Sequence, residues 1–436
     1  MLEDIFDTIV PDESIIYKEE FTETLLHMME EYVIQNPTSI AEPDFHDTFI
    51  EEIQELVISQ FSQELWDNDE TELEYIIEEV STLFYVSFMP PRSYPNSIIL
   101  HPPEIDTIKK QIDYLCSIPQ PTQRTTEWYE FRHNLITASN AYKAFGSDCT
   151  VNQLIFEKCK PVQDVSSSSS NLNYNVVNVD TTLHWGQKYE PVSVMIYENM
   201  YNTTIQDFGC IQHSEYHFLG ASPDGINVDV NNLRYGRMLE IKNIVNREID
   251  GIPKLEYWIQ MQLQMETCNL DECDFLETKF TEYANEAEYD ADVYAPEQRG
   301  IIMYFSNPHL YVYAPLNISK DEFELWELEM MEKHSEKTWI RNIFWKAEHV
   351  SCVLVVRNKI WFRDAIKTLE MTWNKILDER ITGHEHRAPM KRVSSKASPN
   401  SSGERKCLLN INYETGKIDL INKVIKIRTE SFDMEL

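Results

Sequence analysis

Apolar positions recur at three- and four-residue intervals through FTETLLHMMEEYVIQ and FIEEIQELVISQFSQELW, which predicts amphipathic helices over residues 1–115. Pro90, Pro91, Pro95, Pro102 and Pro103 end that stretch. A second unit starts near Cys116 and opens with a helical pattern, TEWYEFRHNLITASNAYKAF. The Ser- and Asn-rich segment 162–180 then reads as a mobile surface loop. WGQKYEPVSVMIYENMYN restores the helical period. Strand-length runs follow, IQDFGCIQH, FLGASPDGINVDV and RMLEIKNIV, before LEYWIQMQLQMETC returns to helix. Helix, strands, helix in this order predicts an α/β fold with a sheet flanked by helices. Further on, IIMYFSNPHLYVYAPL predicts two strands; DEFELWELEMMEKHSEKTWIRNIFW and FRDAIKTLEMTWNKIL predict two amphipathic helices. Residues 271–297 hold ten acidic side chains against one base, Lys279, and predict a solvated edge. The polar segment 384–406 predicts a linker. Three regions result: an acidic helical extension at 1–115, a central domain at 116–382, and a linker with a tail at 383–436.

Composition narrows the function classes. The chain has 436 residues, 42% hydrophobic and 11% aromatic, which suits a globular protein. Its net charge is −35, unevenly spread: residues 1–120 carry 4 basic and 27 acidic side chains, whereas 383–436 carry 10 and 7. A uniformly basic nucleic-acid binder is excluded, so a nucleic-acid site must be a local basic patch or rely on bound cations. The acidic first region reads either as a plain helical extension or as an interaction arm or charge mimic of DNA. No apolar run approaches the roughly 20 residues of a spanning helix, and MLEDIFDTIVPDES lacks the basic start of a signal peptide. The cysteines are scattered; Cys268, Cys273, Cys352 and Cys407 give no zinc or iron–sulfur spacing and read as free thiols.

The candidate chemistry lies between 184 and 262. Ser222-Pro223-Asp224-Gly225 is a tight turn presenting one carboxylate. Fifteen or so residues on, Leu239-Glu240-Ile241-Lys242 has the period of a strand, so Glu240 and Lys242 share a face and Ile241 points into the core. A hairpin between the two motifs brings Asp224 beside Glu240. Two carboxylates and an ammonium then converge, a set suited to phosphodiester hydrolysis: hard oxygens for Mg²⁺, with the Ile241 carbonyl completing the ligands, and Lys242 for the attacking water or the developing charge. Glu190, in HWGQKYEP at the start of a helix, offers a further carboxylate.

HWGQKYEP, GASPDG, LEIK and YWIQMQLQM, in that order and spacing, resemble the lambda-exonuclease/YqaJ viral recombinase family of the PD-(D/E)XK nuclease superfamily, in the form found in large DNA viruses. The resemblance spans about 128–280 and extends more loosely to roughly 380. It implies a restriction-endonuclease-like core with a central mixed sheet. Glu190 matches the family's helix glutamate, Asp224 and Glu240 its metal ligands, Lys242 its catalytic lysine and Gln260 its active-site glutamine; Gln262 is turned about 200° from Gln260 and fits less well. Arg132 and Ser139 match the pair that binds the 5′-phosphate of a DNA end, and seven residues on one helix would put both on one side. The implied activity is a Mg²⁺-dependent (or Mn²⁺-dependent) 5′→3′ exonuclease on double-stranded DNA ends, serving recombination or repair with a single-strand annealing protein. An endonuclease or flap nuclease with the same centre, or a non-enzymatic acidic binding protein, are the alternatives. A homotrimeric ring and a setting inside the host cell of a large DNA virus are further implications. Arg132, Lys143, Lys188, Lys242 and Arg247 are expected to gather near one cleft, with the acids facing outward.

Overall fold

The computed structural model describes residues 18–61, 70–95, 103–122, 125–162, 181–292, 298–306, 309–388, 409–412 and 417–420. It divides into two compact units, Met1–Ala388 and Pro389–Leu436. Nearly all of the loop predicted at 162–180 and most of the linker predicted at 384–406 lie outside the described residues.

In the first unit the strands are β1 (Tyr94–Pro95), β2 (Ile136–Thr137), β3 (Ile205–Gln206), β4 (Ile211–Gln212), β5 (Leu219–Ala221), β6 (Gly225–Asn227), β7 (Met238–Asn243), β8 (Glu272–Glu282), β9 (Arg299–Ser306), β10 (Leu310–Tyr313) and β11 (Thr338–Val356). The main sheet runs β10-β9-β11-β8-β7-β6-β3, with β1 on β11; β2-β5-β4 form a small second sheet. In the second unit, β12 (Leu409–Asn412) pairs with β13 (Lys417–Leu420). The predicted α/β architecture, a mixed central sheet flanked by helices with an acidic helical region before it, is what the chain forms.

Within the main sheet β7 and β8 are parallel, and the remaining pairs are antiparallel. A parallel pair needs a crossover, and the helix Leu255–Cys268 supplies it. That connection lays the glutamine-rich helix over the sheet beside β7. On the opposite face, Tyr197 of helix Thr182–Tyr201 packs with Leu239 and Ile241. The alternation of β7 therefore sends Leu239 and Ile241 to one helix and Met238, Glu240 and Lys242 towards the other.

Three sequence expectations are corrected. First, TWIRNIFW is strand, not helix: the helix Lys320–Lys333 ends and β11 begins at Thr338. β11 is rich in β-branched and aromatic residues and sits between β8 and β9, where packing from two neighbours outweighs the helical spacing. Second, the acidic run after 271 is a solvated edge only in part: Asp271 and most of 284–291 are exposed, but β8 lies inside the sheet. Asp274 is fully buried, accepts Arg237 Nη1 at 3.0 Å and the Tyr197 hydroxyl at 2.6 Å, and pairs with Arg234; Glu277, also buried, pairs with Arg247. Buried charges persist where such partners exist. Third, TEWYEFRHNLITASNAYKAF is not one helix. Helix Thr126–His133 stops at Asn134, β2 pairs Ile136 and Thr137 with Leu219 and Gly220 of β5, and Thr137 then opens the short helix Ala138–Ala141 with a capping box to Asn140.

The N-terminal helices Lys18–Gln35, Phe45–Phe61 and Glu70–Ser87 pack around Phe49, whose ring lies 5.3 Å from Phe45 and 5.6 Å from Phe84. The buried Arg92 guanidinium donates to Ile40 O at 3.0 Å and Pro253 O at 2.9 Å, tying that layer to the segment just before the glutamine helix. Among the described residues no helix is long and apolar enough to cross a membrane.

Candidate active site

The β6–β7 ladder pairs Ile226 with Met238 and Gly225 with Leu239. One step further the register sets Asp224 opposite Glu240, but the ladder stops at Gly225. The Ile241 N–H that β6 leaves unpaired donates instead to Asp224 Oδ2 at 2.7 Å. Gly225 is required by close approach: a Cβ there would stand 2.1 Å from Ile205 Cγ2 on β3. The turn motif and the strand motif are thus brought together as their spacing predicts.

Glu240 is fully buried. Its Oε1 accepts the Lys242 ammonium and Gln260 Nε2, the latter at 2.6 Å; its Oε2 accepts Gln264 Nε2 at 2.7 Å. Lys242 also lies over the Tyr257 ring, 4.9 Å from its centre. Gln260 and Gln264 are four apart on one helix and so share a face. Gln262, between them, points elsewhere, donating to Val356 O at 3.0 Å and accepting Asn358 N at 2.7 Å. Gln264 was missed from the sequence. The i, i+4 spacing from Gln260 was the signal that could have found it.

The electrostatics suit a bound cation. Burial and then the neighbouring Glu240 push the Asp224 carboxyl well above its usual range; Glu190 adds to this, while Lys242 and the Ile241 N–H oppose it. For Lys242 burial works against the charge, but Glu240 and Asp224 outweigh it and hold the ammonium above its ordinary pKa. Glu190 is exposed on helix Thr182–Tyr201, yet close enough for its charge to act on Asp224. The charges of Glu240 and Glu190 thus act on Asp224 with the Lys242 ammonium opposing them, an excess of acid that a divalent ion would offset. The buried Gln264 Oε1, beside Glu240, finds no hydrogen-bond partner among the described residues. Among the described residues no three acidic, His or Cys side chains form a closed ligand cluster, so an ion would draw in main-chain or solvent oxygens as well.

Arg132 and Ser139 do not share a helix, since the chain breaks between them. Arg132 lies over Trp128, 4.5 Å from the ring centre, and its charge acts on the Cys210 thiol. Behind Arg132, Lys158 Nζ donates to its carbonyl at 2.8 Å, and Arg380 donates to His133 O at 2.8 Å and Lys158 O at 2.9 Å. Exposed Ser139 has its Oγ 3.4 Å from Thr137 Oγ1. The five cations expected at one cleft are held more locally. Lys242 and Arg247 both lie over Tyr257, while Lys143 pairs with Glu157 and Lys188 with Glu282. Nor do the acids all face outward, since Glu240, Asp274 and Glu277 are buried.

Comparison with known proteins adds to this geometry. The pattern of the YqaJ-like viral recombinase domain matches residues 127–271, the stretch that holds every candidate residue above. An uncharacterized protein of Acanthamoeba polyphaga mimivirus is 28% identical over 312 residues, covering 61% of this chain; the chain spans about half of that relative's length, 54%. Among solved structures, an alkaline exonuclease from Laribacter hongkongensis aligns at 17% identity over 60% of this chain and 95% of its own, with a TM-score of 0.33. A phage-related exonuclease from Haemophilus somnus aligns at 13% identity over 57% of this chain and 95% of its own, with a TM-score of 0.31. Residues 127–271 of this chain thus carry the sequence pattern of the YqaJ-like viral recombinase domain.

Proposed function

We propose that the chain is a divalent-metal-dependent DNA exonuclease that degrades double-stranded ends 5′→3′, resecting them for recombination or repair by strand annealing. The observation that carries this reading is the junction of Asp224 and Glu240 at one hairpin, with Glu240 clamped by Lys242, Gln260 and Gln264.

Asp224, Glu240, the Ile241 carbonyl and Glu190 would hold Mg²⁺, or Mn²⁺ in its place. When bound, the ion supplies Lewis-acid polarisation of the phosphate. Lys242 holds a positive charge beside Glu240, where it stabilises charge developing on the phosphate oxygens or orients the attacking water. Gln260 and Gln264 fix the rotamer of Glu240, so neither of its oxygens needs to reorganise during reaction. Arg132 and Ser139 are the phosphate donors for the 5′ end, and Lys158 and Arg380 brace the main chain around Arg132. An annealing protein would take up the strand left behind, and a ring of three subunits would retain the duplex. The mimivirus relative supports a setting in cells infected by a large DNA virus.

End-labelled linear duplexes, with and without a 5′-phosphate, test the reading beside closed circles in Mg²⁺ and in EDTA. Loss of nucleotides from phosphorylated ends in Mg²⁺ alone is the expected result. Cutting of intact circles would make the centre an endonuclease, and binding without cleavage in Mg²⁺, or in Mn²⁺ supplied in its place, would make the protein a non-enzymatic binder.

A further inference from the structure

A cavity of about 300 Å³ opens between helix Thr182–Tyr201, the end of β7 and strands β9–β11. Trp185, Tyr304 and Tyr311 line it, with Lys188, Arg341 and Val245. Its floor is stiff. Trp185 packs on Tyr189 at 4.6 Å between ring centres, and Tyr189 stacks on Phe280 at 4.5 Å and 14°. Tyr304 and Tyr311 face each other in register across β9 and β10, their rings 5.2 Å apart. Charge in the cavity favours an anion: Lys188, over the Trp185 ring, is balanced by Glu282, while exposed Arg341 adds a further cation beside Tyr311. Thr181 and Thr182 bring the positive end of a 20-residue helix to the same opening. The Trp185 indole N–H is buried and finds no acceptor among the described residues.

The position relative to the candidate centre is fixed by covalent and hydrogen-bonded links. Val245 is three residues beyond Lys242, and Trp185 lies about one and a half turns before Glu190 on the same helix. Asn243 Nδ2 donates to Gly186 O at 2.9 Å, locking β7 to that helix between the two places. A cavity this small cannot admit a duplex, but an unstacked base fits its aromatic walls, with its phosphate towards Arg341.

We propose that this cavity is a nucleobase subsite for single-stranded DNA next to the hydrolytic centre, so that a strand separated there stacks a base on Trp185 and Tyr311. The inference deepens the nuclease reading and rests on it only for the source of the strand. The test uses the full chain in EDTA, with a single-stranded oligodeoxynucleotide carrying 5-iodouracil. After irradiation, adducts are mapped by mass spectrometry. Adducts at Trp185, Tyr304 or Tyr311 are expected, as is a roughly tenfold or greater loss of affinity in Arg341→Glu, an exposed position whose melting temperature stays at the wild-type value. Trp185→Leu should weaken the normal oligonucleotide but not one with abasic sugars. Adducts confined to other residues, or Arg341→Glu affinity within twofold of wild type, overturn the subsite. Adducts here without any cleavage in Mg²⁺ would overturn only the nuclease reading, and cleavage with adducts elsewhere only the subsite.

Discussion

Gln264 donates to Glu240 Oε2 at 2.7 Å from a fully buried position, four residues past the glutamine that holds the other oxygen. Removing it leaves a buried carboxylate short of a donor, which costs about 1.5–3 kcal/mol for a charged hydrogen bond. Gln264→Leu should therefore lower the melting temperature and also cut nuclease turnover tenfold or more. Thermal melts and single-turnover rates on one preparation check this; full stability and activity together would remove Gln264 from the centre.

Asp224, Glu240 and Glu190 repel one another around a single ammonium. Asp224→Asn should relieve that repulsion and raise metal-free stability by about 1 kcal/mol or more while abolishing cleavage, a trade of function against stability. Mg²⁺ should raise the melting temperature of the wild type but not of this variant, because only a native state with a site gains from the ion. Equal Mg²⁺ shifts in both proteins would place the ion elsewhere.

Arg132 lies over the Trp128 ring, with the Lys158 ammonium donating to its carbonyl at 2.8 Å. Arg132→Ala should cut the preference for 5′-phosphorylated over 5′-hydroxyl ends by about ten- to a hundredfold, the worth of a charge-assisted phosphate contact. Lys242→Ala should slow both ends alike. The ratio of rates on the two duplexes decides, and an unchanged ratio in Arg132→Ala excludes the phosphate role.

Lys158 is buried; that burial, with Arg132 and Arg380 nearby, lowers its pKa to about 8 from an ordinary 10.5. The unfolded chain then binds more protons than the folded one between about pH 8 and 10.5, so this group makes stability rise with pH across that window. Below pH 8 the folded state bears the full cost of the buried charge. Lys158→Met should be more stable than wild type at pH 7, by a margin that shrinks as pH climbs to 10. Denaturant titrations at several pH values measure it; a margin independent of pH contradicts the assignment.

Gly225 leaves no room for a side chain against Ile205. Gly225→Ala should destabilise the protein by about 1–3 kcal/mol, the range for overpacking, and displace Asp224 with it. Calorimetry showing wild-type stability would mean that β3 yields without cost.

The centre was legible where chemistry and local periodicity coincide. Strand alternation gave the shared face of Glu240 and Lys242, and turn spacing gave the approach of Asp224. What failed depended on partners remote in sequence. Asp274 and Glu277 look solvent-bound until Arg234, Arg237 and Arg247 are placed beside them. Trp339 to Trp345 carry helix-like apolar spacing, yet β9 claims them. The Arg132–Ser139 interval suggested one helix because β2's partner, β5, lies some eighty residues on.

The most direct test of the account is the single-turnover rate of Glu240→Gln on a 5′-phosphorylated linear duplex at saturating Mg²⁺, measured beside its circular dichroism and melting curve. The account predicts a folded protein that has lost about a thousandfold or more in rate, in line with removal of an essential charged group. A folded variant cleaving within a few-fold of wild type would contradict it and move the chemistry away from Asp224, Glu240 and Lys242.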